Sequence, residues 1–296
     1  MDIYIKYSNY IVYNKNVIII KASFNNDISN INFDSNITQL LFSNYDDVEY
    51  SIKEYHKEYC FDQNKFIRSK FNNSVDNLPT ILTHITFGEY FNQPVENLPT
   101  LLTHLTFDKW FCQPVDNLPL SITNLIFGYS FGYQVDNLPS SLNYLKFNGE
   151  FDQSIDNLPI NLTNLSFDGY FNQPVNNLPE NLKYLSFDGD FNQPVDNLPK
   201  NLKYLSFFGN FNQPVDNLPF SLSHLTFYGD FNQYVNNLPF SITHLTFYGD
   251  FNQPVNNLPF SITHLTFDGK FNQSLRQLPK SIEIIVNKLK IDIIDE

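Results

Sequence analysis

The stretch from Phe171 to Asp190 reads "FNQPVNNLPENLKYLSFDGD", and the next twenty residues repeat it closely as "FNQPVDNLPKNLKYLSFFGN". The same pattern starts at every twentieth residue from Phe71 to Phe271, giving ten complete copies and a decayed eleventh. A fixed period of this length is typical of repeat proteins, in which each copy stacks on its neighbours. The repeat therefore decides the fold, and we number its positions 1 to 20 from the first Phe.

The repeat has the pattern of a short strand followed by an extended return. Positions 1, 5, 8, 12, 15 and 17 are apolar almost throughout, and positions 1 and 17 hold 21 of the 30 Phe residues. Pro at positions 4 and 9 excludes a helix. Positions 14 to 18, as in "YLSFD", alternate between polar and apolar residues, which is typical of a strand. Gly at position 19, in seven of the ten complete copies, indicates a turn with positive φ.

The sequence therefore predicts a repeat solenoid in which every copy contributes one coil. The strands of successive coils pair into a single parallel β-sheet, and the opposite, convex side is extended and non-helical. A single coil has too few apolar side chains to fold alone, so the coils must stack.

The repeat resembles a known family. Positions 8 to 17, "LPENLKYLSF" in one copy, are similar to the short leucine-rich repeat, and the fuller "FNQPVxNLPxxLxxLxF" resembles the FNIP repeat of social amoebae and of giant DNA viruses that infect amoebae. The match extends over about residues 71–286. The resemblance implies a leucine-rich-repeat-like solenoid. The period of 20 differs from the family's commoner 22.

One departure from the leucine-rich pattern concerns its asparagine. That residue would fall at position 20, which holds residues as different as Tyr90, Trp110 and Asp190. Position 7 is Asn in all ten complete copies, and we predict that its amide bridges the backbones of neighbouring coils; a ligand-binding role is the alternative. This predicted structural ladder consists of Asn77, Asn97, Asn117, Asn137, Asn157, Asn177, Asn197, Asn217, Asn237 and Asn257.

The chain divides into four predicted parts. Residues 1–45 form a small N-terminal β cap and a degenerate first coil, and residues 46–70 a helical insertion and connector. Residues 71–280 hold the ten to eleven repeats, and residues 281–296 a C-terminal cap. The one short helix is predicted from Asp46 to Cys60. Members of the resembled family often carry a helical F-box that recruits ubiquitin ligases, but residues 1–70 show too little helical pattern for one.

Composition restricts the partners. The net charge is −13, with 31 acidic and 18 basic residues, which argues against nucleic acid and against an anionic membrane surface. The sequence contains no apolar run of about 18 residues, so we expect no membrane-spanning helix. Cys60 and Cys112 have neither metal-ligand nor disulfide spacing, which favours an intracellular, cytoplasmic location, in the host cytoplasm if the protein is viral. We expect no cofactor.

Position 14 points outward from the predicted sheet and holds five of the six histidines. Imidazoles on adjacent strands could approach one Zn²⁺ ion, but parallel rings converge poorly, and recent duplication of the last copies explains the histidines equally well. We therefore predict no metal site. No Ser, His and acid form a nucleophile arrangement, and no phosphate loop is present, so we predict no enzyme activity.

The outward positions 14 and 18 predict a protein-binding surface, because aromatic anchors are enriched at interfaces. Neighbouring acids such as Asp188 and Asp230 favour a partner with a basic rim. The alternatives are a carbohydrate-binding surface, a purely structural or packaging role and, by family analogy, a ubiquitin-ligase substrate receptor. The predicted partner-binding residues are Tyr184, Tyr204, Phe208, Tyr228, Tyr248, His224, His244 and His264. The partner's identity and the oligomeric state stay open.

Overall fold

The computed structural model describes residues 11–14, 16–26, 28, 33, 36–44, 68–279 and 281–291. These residues form short β-strands joined by turns, and no helix occurs among them. The helix predicted from Asp46 to Cys60 lies outside the described residues. The chain divides into two compact units, Met1–Phe151 and Asp152–Glu296, which we call unit 1 and unit 2.

The strands of unit 1 are β1 (Ile11–Asn14), β2 (Val17–Ile20), β3 (Gln39–Phe42), β4 (His84–Thr86), β5 (His104–Thr106), β6 (Asn124–Phe127) and β7 (Tyr144–Gly149). An antiparallel hairpin of β1 and β2 precedes a parallel ladder in chain order from β2 to β7.

The strands of unit 2 are β8 (Asn164–Gly169), β9 (Tyr184–Gly189), β10 (Tyr204–Gly209), β11 (His224–Gly229), β12 (His244–Gly249), β13 (His264–Gly269), β14 (Glu283–Val286) and β15 (Leu289–Ile291). The strands from β8 to β14 are parallel, and β15 turns back against β14. Residues twenty apart are directly paired from β8 to β13, as Leu205 is with Leu225, so each repeat position forms a file along the unit. The predicted parallel solenoid with a non-helical return is confirmed.

The core of each coil is closed by a pair of Phe rings. Phe207 at position 17 stacks on Phe211, which opens the next copy, with ring centroids 3.7 Å apart. Phe207 also stacks between Phe187 and Phe227 of the adjacent strands, at 5.7 and 5.6 Å. All these rings are buried. The pair spans the turn at the end of the strand and thereby fixes the direction in which the chain leaves the sheet.

The turn between the paired rings needs glycine in unit 2. Gly209 has φ of 101°, and a Cβ atom built on it would lie 2.4 Å from the carbonyl oxygen of Gly189. That oxygen accepts a hydrogen bond from Asn210 N–H at 3.0 Å, so it cannot move away. In unit 1, β4 and β5 end three residues earlier, and Glu89 and Lys109 occupy the same repeat position without positive φ.

Position 2, and not position 7, carries the asparagines that bind the backbone of the next coil. The Asn192 Oδ1 atom accepts hydrogen bonds from the Asn212 backbone N–H at 2.9 Å and from Gln213 Nε2 at 3.2 Å. The same bond joins Asn212 to Asn232 and Asn232 to Asn252, each at 2.9 Å. Because the acceptor is a side chain, it satisfies a backbone N–H in a segment where no strand pairing is available.

The position-7 asparagines make a different contact from the expected bridge between backbones. All ten are exposed, because positions 6 and 7 lie in a turn. Asn197 Nδ2 donates to the side-chain oxygen of Asn176 at 3.2 Å, and Asn217 Nδ2 donates to Asp196 at 3.0 Å. These bonds join side chains of adjacent coils and leave the backbone to other partners.

We predict that Asn192→Ala lowers the free energy of unfolding by about 1–3 kcal/mol, because it leaves a partly buried N–H without its acceptor. The matched change Asn197→Ala removes only an exposed bond between side chains, and its effect should stay within about 0.5 kcal/mol. Urea denaturation followed by circular dichroism measures both variants. Equal losses for the two would contradict the assignment of the backbone contact to position 2.

Candidate protein-binding surface

The outward face of the sheet in unit 2 carries the predicted partner-binding side chains. Along β10, Leu205 and Phe207 are buried, whereas Tyr204 is 38% exposed and Ser206 and Phe208 are half-buried. This alternation follows from the period of two in a strand. Positions 14, 16 and 18 therefore form three parallel files on one surface.

Position 14 forms a continuous stack of five rings, which we call the position-14 file. Successive ring centroids are 4.4, 4.4, 4.3 and 4.3 Å apart. The spacing is slightly shorter than the distance between strands, so each ring leans on the next. The file consists of Tyr184, Tyr204, His224, His244 and His264.

Position 18 forms a second stack, the position-18 file, of Phe208, Tyr228 and Tyr248. Its ring centroids are 4.1 and 4.2 Å apart. Position 16 lies between the two files and supplies hydroxyl groups, and Ser206 Oγ donates to Ser186 Oγ at 3.1 Å. The structure thus places all eight predicted side chains in one area of unit 2, with a polar strip between two aromatic ones.

The hydroxyl group at position 13 sets the orientation of each histidine in unit 2. Ser223 Oγ lies 3.0 Å from the Lys203 carbonyl oxygen and 2.9 Å from His224 Nδ1. The hydroxyl group thus links the imidazole ring to the backbone of the preceding coil. Thr243 with His244, and Thr263 with His264, have the same geometry.

Burial and neighbouring charge disfavour protonation of the histidines. The pKa of His224 is lowered mainly by burial and further by His244 and His264, and burial and His264 lower the pKa of His244. Both rings are therefore neutral at neutral pH. Rings stacked 4.3 Å apart and nearly parallel do not direct their nitrogens to one point at the roughly 2.0–2.1 Å that zinc requires. Within the described residues no group of three or more His, Cys, Asp or Glu side chains could hold a metal ion.

Carboxylates surround the two files. Asp188, Asp190, Asp230 and Asp250 are exposed at the ends of their strands or in the turns that follow. Asp250 binds Lys270 Nζ at 2.7 Å, and Asp190 accepts a hydrogen bond from Asn210 at 2.9 Å.

Unit 1 has an indentation on its own outward strand face that the repeat pattern did not reveal. Its volume is ≈ 480 Å³, and Thr86, Thr106 and Ile126 form part of its lining. Small-ligand pockets typically have volumes of roughly 300–1,000 Å³. Asp108 lies at its edge, and burial raises the pKa of this carboxyl group, which accepts a bond from Asn44 Nδ2 at 2.6 Å. The only sequence signal was the irregular position 18, where Gly88 and Gly128 flank Asp108.

The fold and the repeat together define a class of protein, the leucine-rich-repeat-like solenoids. The FNIP Repeat family matches residues 71–110, 111–150, 133–167, 151–187, 171–210, 191–229 and 251–286. These segments cover more than half of the chain, and the chain therefore belongs to the FNIP repeat family. The resemblance inferred from the sequence is confirmed.

One solved structure agrees with this class, and a second is more distantly similar. The chain is 34% identical to CroV588, described as a novel circular LRR protein, with a TM-score of 0.66 over 93% of this chain and 50% of that one. YopM from Yersinia enterocolitica WA-314 is 19% identical, with a TM-score of 0.42 over 70% of this chain and 55% of YopM. The chain thus spans about half the length of these two proteins. No curated protein matches it.

Across the described residues, no helix is both long enough and apolar enough to span a membrane.

We predict that acidification destabilises unit 2 through its histidines. Because the folded-state pKa values of His224 and His244 lie below the ordinary value of 6.5, the unfolded chain binds more protons as the pH falls through 6.5, and the stability present above that pH is lost. The change His244→Asn should reduce the drop in melting temperature between about pH 7.5 and about pH 5.5. Asn124 and Asn164 show that the fold accepts asparagine at this position.

Tyr184→Asn is the matched control, because it removes a ring of the same file that does not change charge over this range. Thermal unfolding at the two pH values measures both variants. An unchanged pH dependence in the His244→Asn variant would contradict the assignment.

Proposed function

We propose that the outward strand face of unit 2 is a non-enzymatic protein-interaction surface, with Tyr204, Phe208, Tyr228 and Tyr248 as its anchors. The observation that carries the proposal is the pair of stacked ring files on a rigid sheet. Leucine-rich-repeat-like folds typically serve as protein-interaction scaffolds, which supports the same role here.

The stacking prepares the surface for binding. Each ring in the two files is held by its neighbours at 4.1 to 4.4 Å, so its rotamer is already restricted before a partner arrives. Ordering side chains at an interface usually costs about 0.5–1.5 kcal/mol for each one. A surface whose aromatic side chains are already ordered avoids most of that loss.

Charge indicates the kind of protein partner. The exposed carboxylates Asp188 and Asp230 border the files, and the chain has a net charge of −13. Asp250 is already bound to Lys270, so we expect the partner's Lys or Arg side chains to reach Asp188 and Asp230 first. A partner with an apolar centre and a basic rim fits this arrangement.

The ring orientation argues against the carbohydrate alternative. A sugar ring packs on the free face of an aromatic side chain. The planes of Tyr184 and Tyr204 are only 9° apart and the centroids 4.4 Å apart, so the faces cover one another and the edges point outward. Edges with Tyr hydroxyl groups suit the mixed apolar and polar contacts of a protein interface. By analogy with the family, the protein partner could be the substrate of a ubiquitin ligase. Such a substrate would bind on the same surface, in the cytoplasm of the cell or of the host.

We predict that Tyr204→Ala combined with Tyr228→Ala abolishes capture of the principal protein partner. Hot-spot truncations typically cost about 2 kcal/mol or more, which is roughly thirtyfold in affinity. Neither side chain enters the core, so the melting temperature should change little. The measurement is affinity capture by the immobilised protein from a lysate of an amoeba, with quantitative mass spectrometry of the bound proteins.

The matched control is Tyr133→Ala combined with Tyr234→Ala, which removes two Tyr side chains that are 43% and 61% exposed and lie outside the strand face. This control should keep the captured proteins. If the Tyr204 and Tyr228 variant stays folded and captures the same proteins in the same yield, the strand face of unit 2 is not the binding surface. A glycan array run with the wild-type protein tests the carbohydrate alternative.

A further inference from the structure

A second aromatic surface lies in the turn that precedes the strands of unit 2. Phe220, Phe240 and Phe260 occupy position 10 of three successive coils, and their exposed fractions are 84%, 74% and 86%. We call these three residues the Phe file. They take no part in the core and lie outside the two ring files of the strand face.

The turn itself does not require phenylalanine. Leu222 N–H donates to the Pro219 carbonyl oxygen at 3.0 Å, which closes a β-turn with Phe220 as its second residue. The same bond, at 3.1 Å, closes the turns that carry Glu180 and Lys200 at position 10. Folding therefore accepts a charged side chain here, and the exposure of three large apolar rings calls for another explanation.

The turns hold the Phe side chains on a fixed backbone. Ser221 Oγ donates to the Leu202 carbonyl oxygen at 2.6 Å, and Ser241 and Ser261 repeat the bond at 2.6 and 2.7 Å. Every turn of the Phe file is thus tied to the coil before it.

A groove lies beside two adjacent members of the Phe file. Phe220 and Phe240 both line it, and it has a volume of ≈ 370 Å³. Leu218, Leu238 and Pro239 are among the apolar residues that line it, and asparagines and Asp216 form its polar part. An aromatic side chain of a partner fits such a groove, with its ring against the apolar lining.

The local charge indicates which partner fits. Position 6 is acidic as Asp196 and as Asp216, which lines one end of the groove, but becomes Asn236 and Asn256 beside Phe240 and Phe260. With a net charge of −13, two copies of this chain repel each other over most of their surface. A neutral apolar patch is where a second copy can approach, and interface centres are commonly depleted of charge.

We propose that the Phe file binds the Phe file of a second copy of this chain across a two-fold axis near Phe240. Each file repeats once per coil, so in antiparallel orientation the three Phe rings of one copy lie against the three Phe rings of the other. The same patch then serves on both copies, which is the usual arrangement in a symmetric dimer.

The size of the patch sets the strength of the dimer. Three Phe rings at roughly 150–200 Å² each give on the order of 500 Å² per copy. Stable interfaces bury about 800 Å² per copy. The dimer should therefore be weak and reversible, with a dissociation constant on the order of 10–100 µM.

Sedimentation velocity of the wild-type protein from about 5 to about 500 µM tests the proposal, and the dimer fraction should rise across this range. Phe240→Lys should leave the protein monomeric at the highest concentration. The matched control is Ile160→Lys, the same substitution at position 10 of a coil in the same unit, where Ile160 is 67% exposed but has no Phe neighbours in its file; it should dimerise like the wild type. Melting temperatures verify that all variants are folded.

A charge-reversal pair tests the two-fold arrangement. Phe240→Lys and Phe240→Glu should each be monomeric alone and should associate when mixed, because position 240 of one copy faces the same region of the other. A monomeric wild-type protein at the highest concentration, a Phe240→Lys variant that dimerises normally, or a mixture that stays monomeric would overturn the proposal. The first of these outcomes would assign the Phe file to a different apolar partner.

The dimer does not depend on the proposed function of the strand face. The variant with Tyr204→Ala and Tyr228→Ala should dimerise as the wild type does, so the failure of one proposal is separable from failure of the other.

Discussion

The stack formed by Phe at position 17 and Phe at position 1 of the following copy is the contact on which the structure depends. Its centroid distance stays between 3.6 and 3.9 Å in the ten pairs. The two rings lie on either side of the turn after the strand, so they fix the coil's path. Each ring also packs on its equivalents one coil away, and a displaced ring in one coil would disturb both neighbours. The coils must therefore copy one another at these positions.

The same pairing of equivalent positions also forms the outer surfaces, but it does not determine which residue types occupy the outward positions. The register between β9 and β10 pairs Tyr184 with Tyr204 and Leu185 with Leu205. Only the inward Leu pair must be apolar, because only that pair lies in the core. Position 14 holds Asn, Tyr or His and position 10 holds Thr, Ser, Glu, Lys, Leu, Ile or Phe. Files of identical side chains at such positions give broad, rigid strips.

The period, the strand positions and the inward side chains could be predicted from the sequence, because they follow from one repeated pattern of apolar residues, Pro and Gly. The asparagine that binds the backbone could not. Asn192 and Asn197 both belong to regular Asn positions, and only the path of the coil shows that the first reaches a backbone N–H and the second a side chain in an exposed turn. The Phe file was missed for a similar reason. An apolar residue such as Phe220 is ordinarily expected in the core, and its outward position depends on the β-turn closed by the hydrogen bond from Leu222 N–H to the Pro219 carbonyl oxygen.

Native-state hydrogen exchange of a Phe207→Ala variant tests the central claim most directly. If the stacked Phe pairs couple the coils, the variant loses about 3–5 kcal/mol of stability, and amide protection falls together in β9, β10 and β11. Phe208→Ala, one residue along and on the outer face, should lose no more than about 1 kcal/mol. A loss confined to β10, or equal losses for Phe207→Ala and Phe208→Ala, would contradict the account.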